Sequence, residues 1–142
     1  ASRLSEKGWK VVVVGGGDDV ALGAKIASTS GCVNLSGFCS LSESAAVVAG
    51  SVLLVAGDSG ILHVGVGCGV STVSLFGHGI AEKWAPRGDR HIVLDHRLPC
   101  SPCTRFGYTP KCRDKGRCIS EITVDEVYDA ATTLLSSQGK VT

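Results

Sequence analysis

The chain has 142 residues, 44% apolar and 19% charged, with a formal net charge of +1. That length and composition suit one globular domain with a buried core and exclude a disordered segment. No apolar run reaches the roughly 18 residues that a membrane-spanning helix needs. With only three Phe, two Tyr and two Trp, and a basic excess confined to one loop, the chain also lacks the make-up of a nucleic-acid-binding surface.

The charge is uneven. From Arg87 to Cys118 there are eight Lys or Arg against three Asp, a local +5, so the remainder carries −4. This asymmetry points either to an anionic partner for the C-terminal third or to a solvated basic loop. The first nine residues hold no apolar signal-peptide core. Together with an odd count of seven cysteines, this leads us to expect a reducing, cytoplasmic setting.

The apolar, β-branched run from Lys10 to Gly15 predicts a buried parallel strand. Gly15 to Asp19 is a turn, and Val20 to Ser30 has helical spacing, with Leu22, Ile26 and Ala27 on one face. Cys32 to Leu35 is a short second strand. Ser40 and Glu43 form a capping box for a helix ending near Ala49. Val52 to Ala56 is a third strand, and Ser59 to Gly67 a third helix. Val70 to Phe76 is a fourth strand, and His91 to Leu94 an edge strand within a long irregular stretch. Ile122 to Ser136 is the last helix, with Thr123 and Glu126 as a second capping box. Strands alternating with helices imply a Rossmann-like three-layer α/β/α domain with a mainly parallel sheet. Ligands of such sheets bind beyond the carboxyl ends of the strands. The turns at Gly15 to Asp19, Gly57 to Gly60 and Gly77 to Gly79 fall there.

Three constellations carry chemistry. Gly15-Gly-Gly-Asp-Asp19 opens a helix but fails the dinucleotide fingerprint, because Val20 stands where the third glycine belongs and no acid follows the second strand. Its glycines either only shape the turn, with Asp18 or Asp19 capping the helix, or present Asp19 to a ribose or sugar hydroxyl. Asp58-Ser59-Gly60 with His63 gathers acid, hydroxyl, glycine and imidazole at one helix start. Such a start aims backbone N–H groups and a positive dipole end at a phosphate or pyrophosphate. The plain alternative is an N-cap and a surface histidine. Cys100, Cys103, Cys112 and Cys118 place four thiols within a basic loop at about residues 95–120. A structural zinc site, two disulfides and unliganded thiols all fit that spacing. Cys32, Cys39 and Cys68 read as buried structural thiols.

Taken in order, these motifs resemble glycosyltransferase family 9, the ADP-heptose:lipopolysaccharide heptosyltransferases. The series comprises Val12-Val-Val-Gly-Gly with Asp19, Asn34-Leu-Ser-Gly37, Ser40-Leu-x-Glu43, Asp58-Ser-Gly-Ile-Leu-His63 and Val73-x-Leu-Phe-Gly77. It continues through Trp84-Ala-Pro86, Leu98-Pro-Cys-Ser-Pro-Cys103 and Cys118-Ile-x-x-Ile-Thr-x-Asp-Glu-Val127. The resemblance implies a GT-B architecture of two Rossmann-like halves, of which residues 1–142 are the C-terminal, donor-binding half. It implies an ADP-sugar donor, ADP-heptose first, for lipopolysaccharide core synthesis at the inner face of the bacterial inner membrane. Asp58, Ser59, Gly60 and His63 match residues that hold the diphosphate and sugar, with His63 stabilising the leaving group. Asp19 matches a ribose contact, and Cys39 and Ser40 match the rim of the base pocket. The family needs no metal for transfer. Its N-terminal half, which supplies the catalytic base, has no counterpart among these residues, so the chain alone is expected to be inactive and its uncovered surface to favour self-association. His78-Gly79 departs from the family's usual Pro-Thr. The competing readings are a non-catalytic nucleotide- or polyanion-binding module with a metal-stapled basic loop and, made remote by the failed fingerprint, an NAD-dependent enzyme.

Overall fold

The computed structural model describes residues 1–138, and its chain forms two compact units, 1–47 and 48 onward. In the first unit a short helix α1 (Ser2–Glu6) precedes strand β1 (Val12–Val13). A 3-10 turn over Gly17–Asp19 leads into helix α2 (Val20–Ser30), followed by strand β2 (Val33–Asn34). The two strands pair in parallel, Val12 with Val33 and Val13 with Asn34. Helix α2 ends at Gly31, whose φ of 66° supplies the left-handed turn a side chain resists. The helix turns Gly23 inward, not Leu22, which is 59% exposed. The reason is close packing: a Cβ on Gly23 would lie 2.5 Å from both Asn34 Oδ1 and Ser36 Oγ. Helix α3 (Leu41–Ala49) starts on the expected capping box. Glu43 accepts the Ser40 N–H at 2.8 Å and the Ser40 hydroxyl at 2.7 Å, which holds its carboxyl below the usual range.

The second unit is built on a three-stranded parallel ladder in the order β3 (Leu53–Gly57), β4 (Ser71–Phe76), β5 (His91–Asp95). Helix α4 (Gly60–Gly67) connects β3 to β4, and the short α5 (Ala81–Trp84) lies between β4 and β5. A single turn α6 (Arg117–Ser120) precedes the long α7 (Val124–Gln138). Side chains alternate across a strand, and the core divides accordingly. Val73, with Leu53, Ile92 and Leu94 beside it, packs against Val127, Ala130, Ala131 and Leu134 of α7. Phe76 on the opposite face packs with Leu62 of α4 and Ala81 of α5, joined by Ala56 and Val93. The unit is therefore layered helix, sheet, helix, and β4 is sandwiched in the middle. The chain as a whole is a mixed α/β structure with parallel sheets, as the sequence pattern implies, although its strands form two separate ladders.

Helix α7 begins on the second capping box. Glu126 accepts the Thr123 N–H and hydroxyl, each at 2.7 Å, and also lies 2.7 Å from His96 Nε2. The Thr123 N–H, then His96, then the Thr123 hydroxyl hold the Glu126 carboxyl at about 2. A carboxyl lowered on folding stabilises the fold fully above its unfolded value, near 4.5, and loses that contribution as pH falls toward about 2. Thermal melts taken across that window should fall more steeply in the native chain than in Glu126→Gln. Thr123→Ala, which removes the cap itself, should cost about 1 kcal/mol at neutral pH.

Candidate functional site

The carboxyl ends of β3 and β4 open onto a cavity of about 300 Å³ lined by Gly57, Asp58, Leu75, Gly77, His78 and Ile119. Two adjacent strand ends build it. The first runs from Gly57 through Asp58 and Ser59 into α4, and the second from Phe76 into the turn Gly77-His78-Gly79. A larger hollow of about 460 Å³ is lined wholly by the cysteine-bearing loop, Pro99 to Pro110, and takes no residue from a strand or its following turn. The strand-end cavity is thus the better candidate site.

Ser59 occupies the N-cap position of α4 in extended backbone, φ −155° and ψ 164°, yet no side chain caps the helix. Its hydroxyl instead donates to the Gly57 carbonyl at 3.2 Å. The backbone N–H groups of the first turn therefore keep no side-chain acceptor, and the positive end of the helix is left open to an anion. Gly60 has no atom within 4 Å of where a Cβ would be, so there is room directly over this helix start. Asp58 is held differently. A Cβ on Gly79 would overlap the Asp58 carboxylate, so the glycine is what lets that carboxylate sit against the β4 turn.

His63 is exposed on α4, one turn in, and does not line the cavity. It meets the Trp84 ring edge-on, centroids 6.2 Å apart and planes at 65°. Trp84 itself is half exposed and carries Lys83 Nζ 4.9 Å above its ring. The imidazole named from sequence thus belongs to an aromatic and cationic pair beside the helix, a partnership that spacing alone does not disclose. His78 is a titratable cavity residue to which no role was assigned from sequence, although it lies two positions past the end of β4. Its Nδ1 lies 3.2 Å from Thr104 Oγ1, and its carbonyl accepts the N–H groups of Cys103 and Thr104 at 3.2 and 2.9 Å. Ser101 Oγ donates to the Gly77 carbonyl. The cysteine-bearing segment therefore buttresses the turn that forms one wall of the cavity.

Asp19, Cys39 and Ser40 lie in the first unit. Asp19 Oδ2 accepts the Gly16 N–H at 2.9 Å, so part of its carboxylate shapes the glycine turn. Ser40 is engaged in the α3 capping box, and Cys39 is a half-buried free thiol. Cys100, Cys103, Cys112 and Cys118 are free thiols as well. A hydrogen bond with Asp114 pushes the Cys100 thiol up, and burial, then Cys112 and Cys103, pushes up that of Cys118. Among the described residues, no three His, Cys, Asp or Glu side chains are grouped to hold a metal ion.

Gly77 is where the two parts of this wall meet: a Cβ there would stand 2.8 Å from Cys118 Sγ and from Ile119 Cδ1. Overpacking of this kind costs about 1–3 kcal/mol. Urea denaturation of Gly77→Ala should show a loss of that order, whereas Gly60→Ala should be neutral or slightly stabilising.

Comparison with known proteins gives a consistent relationship. A family model described as glycosyltransferase family 9 (heptosyltransferase) matches residues 1–112. Among solved structures, ADP-heptose lps heptosyltransferase II of E. coli superposes with a TM-score of 0.77 at 23% identity, over 96% of this chain and 39% of that one. A glycosyl transferase family 9 protein of Veillonella parvula superposes with a TM-score of 0.79 at 26% identity, over the same 96% and 39%. The chain thus spans about two fifths of the length of either structure. No curated protein sequence matches it.

Proposed function

The chain belongs to glycosyltransferase family 9, and from that premise we propose that it is the donor-binding half of an inverting sugar transferase. The donor is an ADP-sugar, ADP-heptose being the first candidate, and the pathway is lipopolysaccharide core synthesis at the cytoplasmic face of the inner membrane. The observation that carries this reading is the uncapped start of α4 at Gly60, with the Asp58 cavity beside it at the ends of β3 and β4.

In this proposal the first-turn N–H groups of α4 hold the diphosphate, and the helix dipole adds about 0.3–1 kcal/mol in their favour. Ser59 offers its hydroxyl to a phosphate oxygen in exchange for the Gly57 carbonyl. Asp58, an acceptor when ionised, takes hydrogen bonds from sugar hydroxyls. Asp19 does the same for the ribose, while Cys39 and Ser40 border the base. A base from a second half of the enzyme deprotonates the acceptor hydroxyl. Its oxygen attacks the anomeric carbon, the bond to the diphosphate breaks, and ADP leaves. His63, donating from its place beside Trp84, offsets the negative charge that grows on ADP as that bond breaks. No step calls on a metal. Zinc on Cys100, Cys103, Cys112 and Cys118 is a separate structural proposal. It requires these thiols, which are not grouped as a metal centre among the described residues, to converge on the ion. Metal analysis of reduced protein decides it: near-stoichiometric zinc supports it and trace zinc removes it.

Calorimetric titration with ADP, UDP and NAD tests the donor assignment. ADP should bind in preference to UDP and NAD, and its binding should weaken in Asp19→Ala. Asp58→Ala, which removes the contact to the transferred sugar, should weaken binding of the ADP-sugar and spare that of ADP. The isolated chain should bind ADP without transferring sugar. Absence of any nucleotide binding would overturn the reading in favour of an interaction module centred on the basic loop.

A further inference from the structure

Residues 105–117 carry a surface that the donor site does not use. Arg105 and Tyr108 exchange both backbone hydrogen bonds at 2.9 Å and so close a two-residue hairpin over Phe106 and Gly107. Both tip residues have positive φ, 51° and 79°. Turns of this kind favour Asn, Asp or Gly at the first tip position, and a bulky aromatic there is strained. Packing does not compensate the strain, because Phe106 is fully solvent-exposed and Tyr108 is 70% exposed. The fold alone gives Phe106 no reason to be at that position.

The surroundings are cationic. Arg105, Lys111, Arg113 and Lys115 are exposed and make no ion pair among the described residues. Arg117 is committed to Glu121, with Nη2 2.5 Å from its carboxylate. Asp114, the one acid in the segment, is drawn to the Cys100 thiol and toward Arg117, so it leaves the other four charges uncompensated.

We propose that the Phe106 hairpin is a peripheral docking element for an anionic lipid bilayer. Phe106 and Tyr108 enter the headgroup layer, and Arg105, Lys111, Arg113 and Lys115 lie against lipid phosphates. An aromatic tip ringed by cations matches a fluid anionic interface, where aromatic rings settle at headgroup depth and each basic residue adds attraction. A protein partner would instead need on the order of 800 Å² of complementary surface with an apolar centre, and a protruding two-residue tip does not offer that. The inference stands independently of the nucleotide assignment.

Co-sedimentation of the purified chain with vesicles provides the test. The chain should bind vesicles containing phosphatidylglycerol, bind pure phosphatidylcholine far less, and be released as salt is raised. The triple variant Lys111→Glu, Arg113→Glu, Lys115→Glu should lower partitioning by on the order of a hundredfold or more. Phe106→Asn should lower it roughly tenfold while melting at the same or a higher temperature, because Asn accepts the left-handed tip. That pairing separates a lost membrane contact from a damaged fold. Failure of the native chain to bind phosphatidylglycerol vesicles would overturn the proposal, as would equal binding to phosphatidylcholine or undiminished binding by Phe106→Asn.

Discussion

The burial of β4 between two strands and two helical layers is the constraint on which the second unit depends. Its six residues alternate between faces, so Val73 anchors α7 while Phe76 anchors α4 and α5. Both residues are fully buried. Because β3 runs parallel to β4, their carboxyl ends finish side by side. The glycine turns that follow then share one cavity. Asp58 can sit against the second turn only because Gly79 has no side chain. The sheet thus sets where the two turns lie, and the glycines decide what can approach there.

The helix start at Ser59 and Gly60 takes its chemical character from an omission. Two other helices, α3 and α7, close their first turns with Ser or Thr and a Glu three residues on. At α4 the third residue after Ser59 is Leu62, which is buried in the core, and Ser59 turns its hydroxyl back to Gly57. The same residue type therefore caps one helix and leaves another open, according to whether its hydroxyl bonds forward to the first turn or back to the preceding strand end. An open first turn beside an acid and over an empty glycine is a place where an anionic ligand can supply the missing acceptors.

Much of this was legible in the sequence. Reciprocal capping boxes need only the correct residues at the correct spacing, so the starts of α3 and α7 could be read directly. The apolar run from Val52 located β3, although Val55 within it is 41% exposed, and β4 could be placed between Val70 and Phe76 although it buries Ser71, Thr72 and Ser74. Other features depend on packing that no short pattern encodes. Leu22 lies on the apolar face of α2 by periodicity, yet Gly23 takes the buried place because Asn34 and Ser36 approach too closely for a side chain. The single-turn helices α5 and α6 are too short to show a period. His63 could be placed on α4 from its spacing, but its partner Trp84 lies 21 positions further on, across β4. The significance of Phe106 appears only when its positive φ and its full exposure are seen together.

The central claim is that the start of α4 receives the donor diphosphate. Amide chemical shifts in labelled protein report this most directly, by comparing ADP with adenosine. If the account is right, ADP will shift the amides of Ser59, Gly60 and Ile61 and adenosine will leave them in place, since only the diphosphate bonds to those N–H groups. Binding of ADP with these three amides unmoved would contradict it.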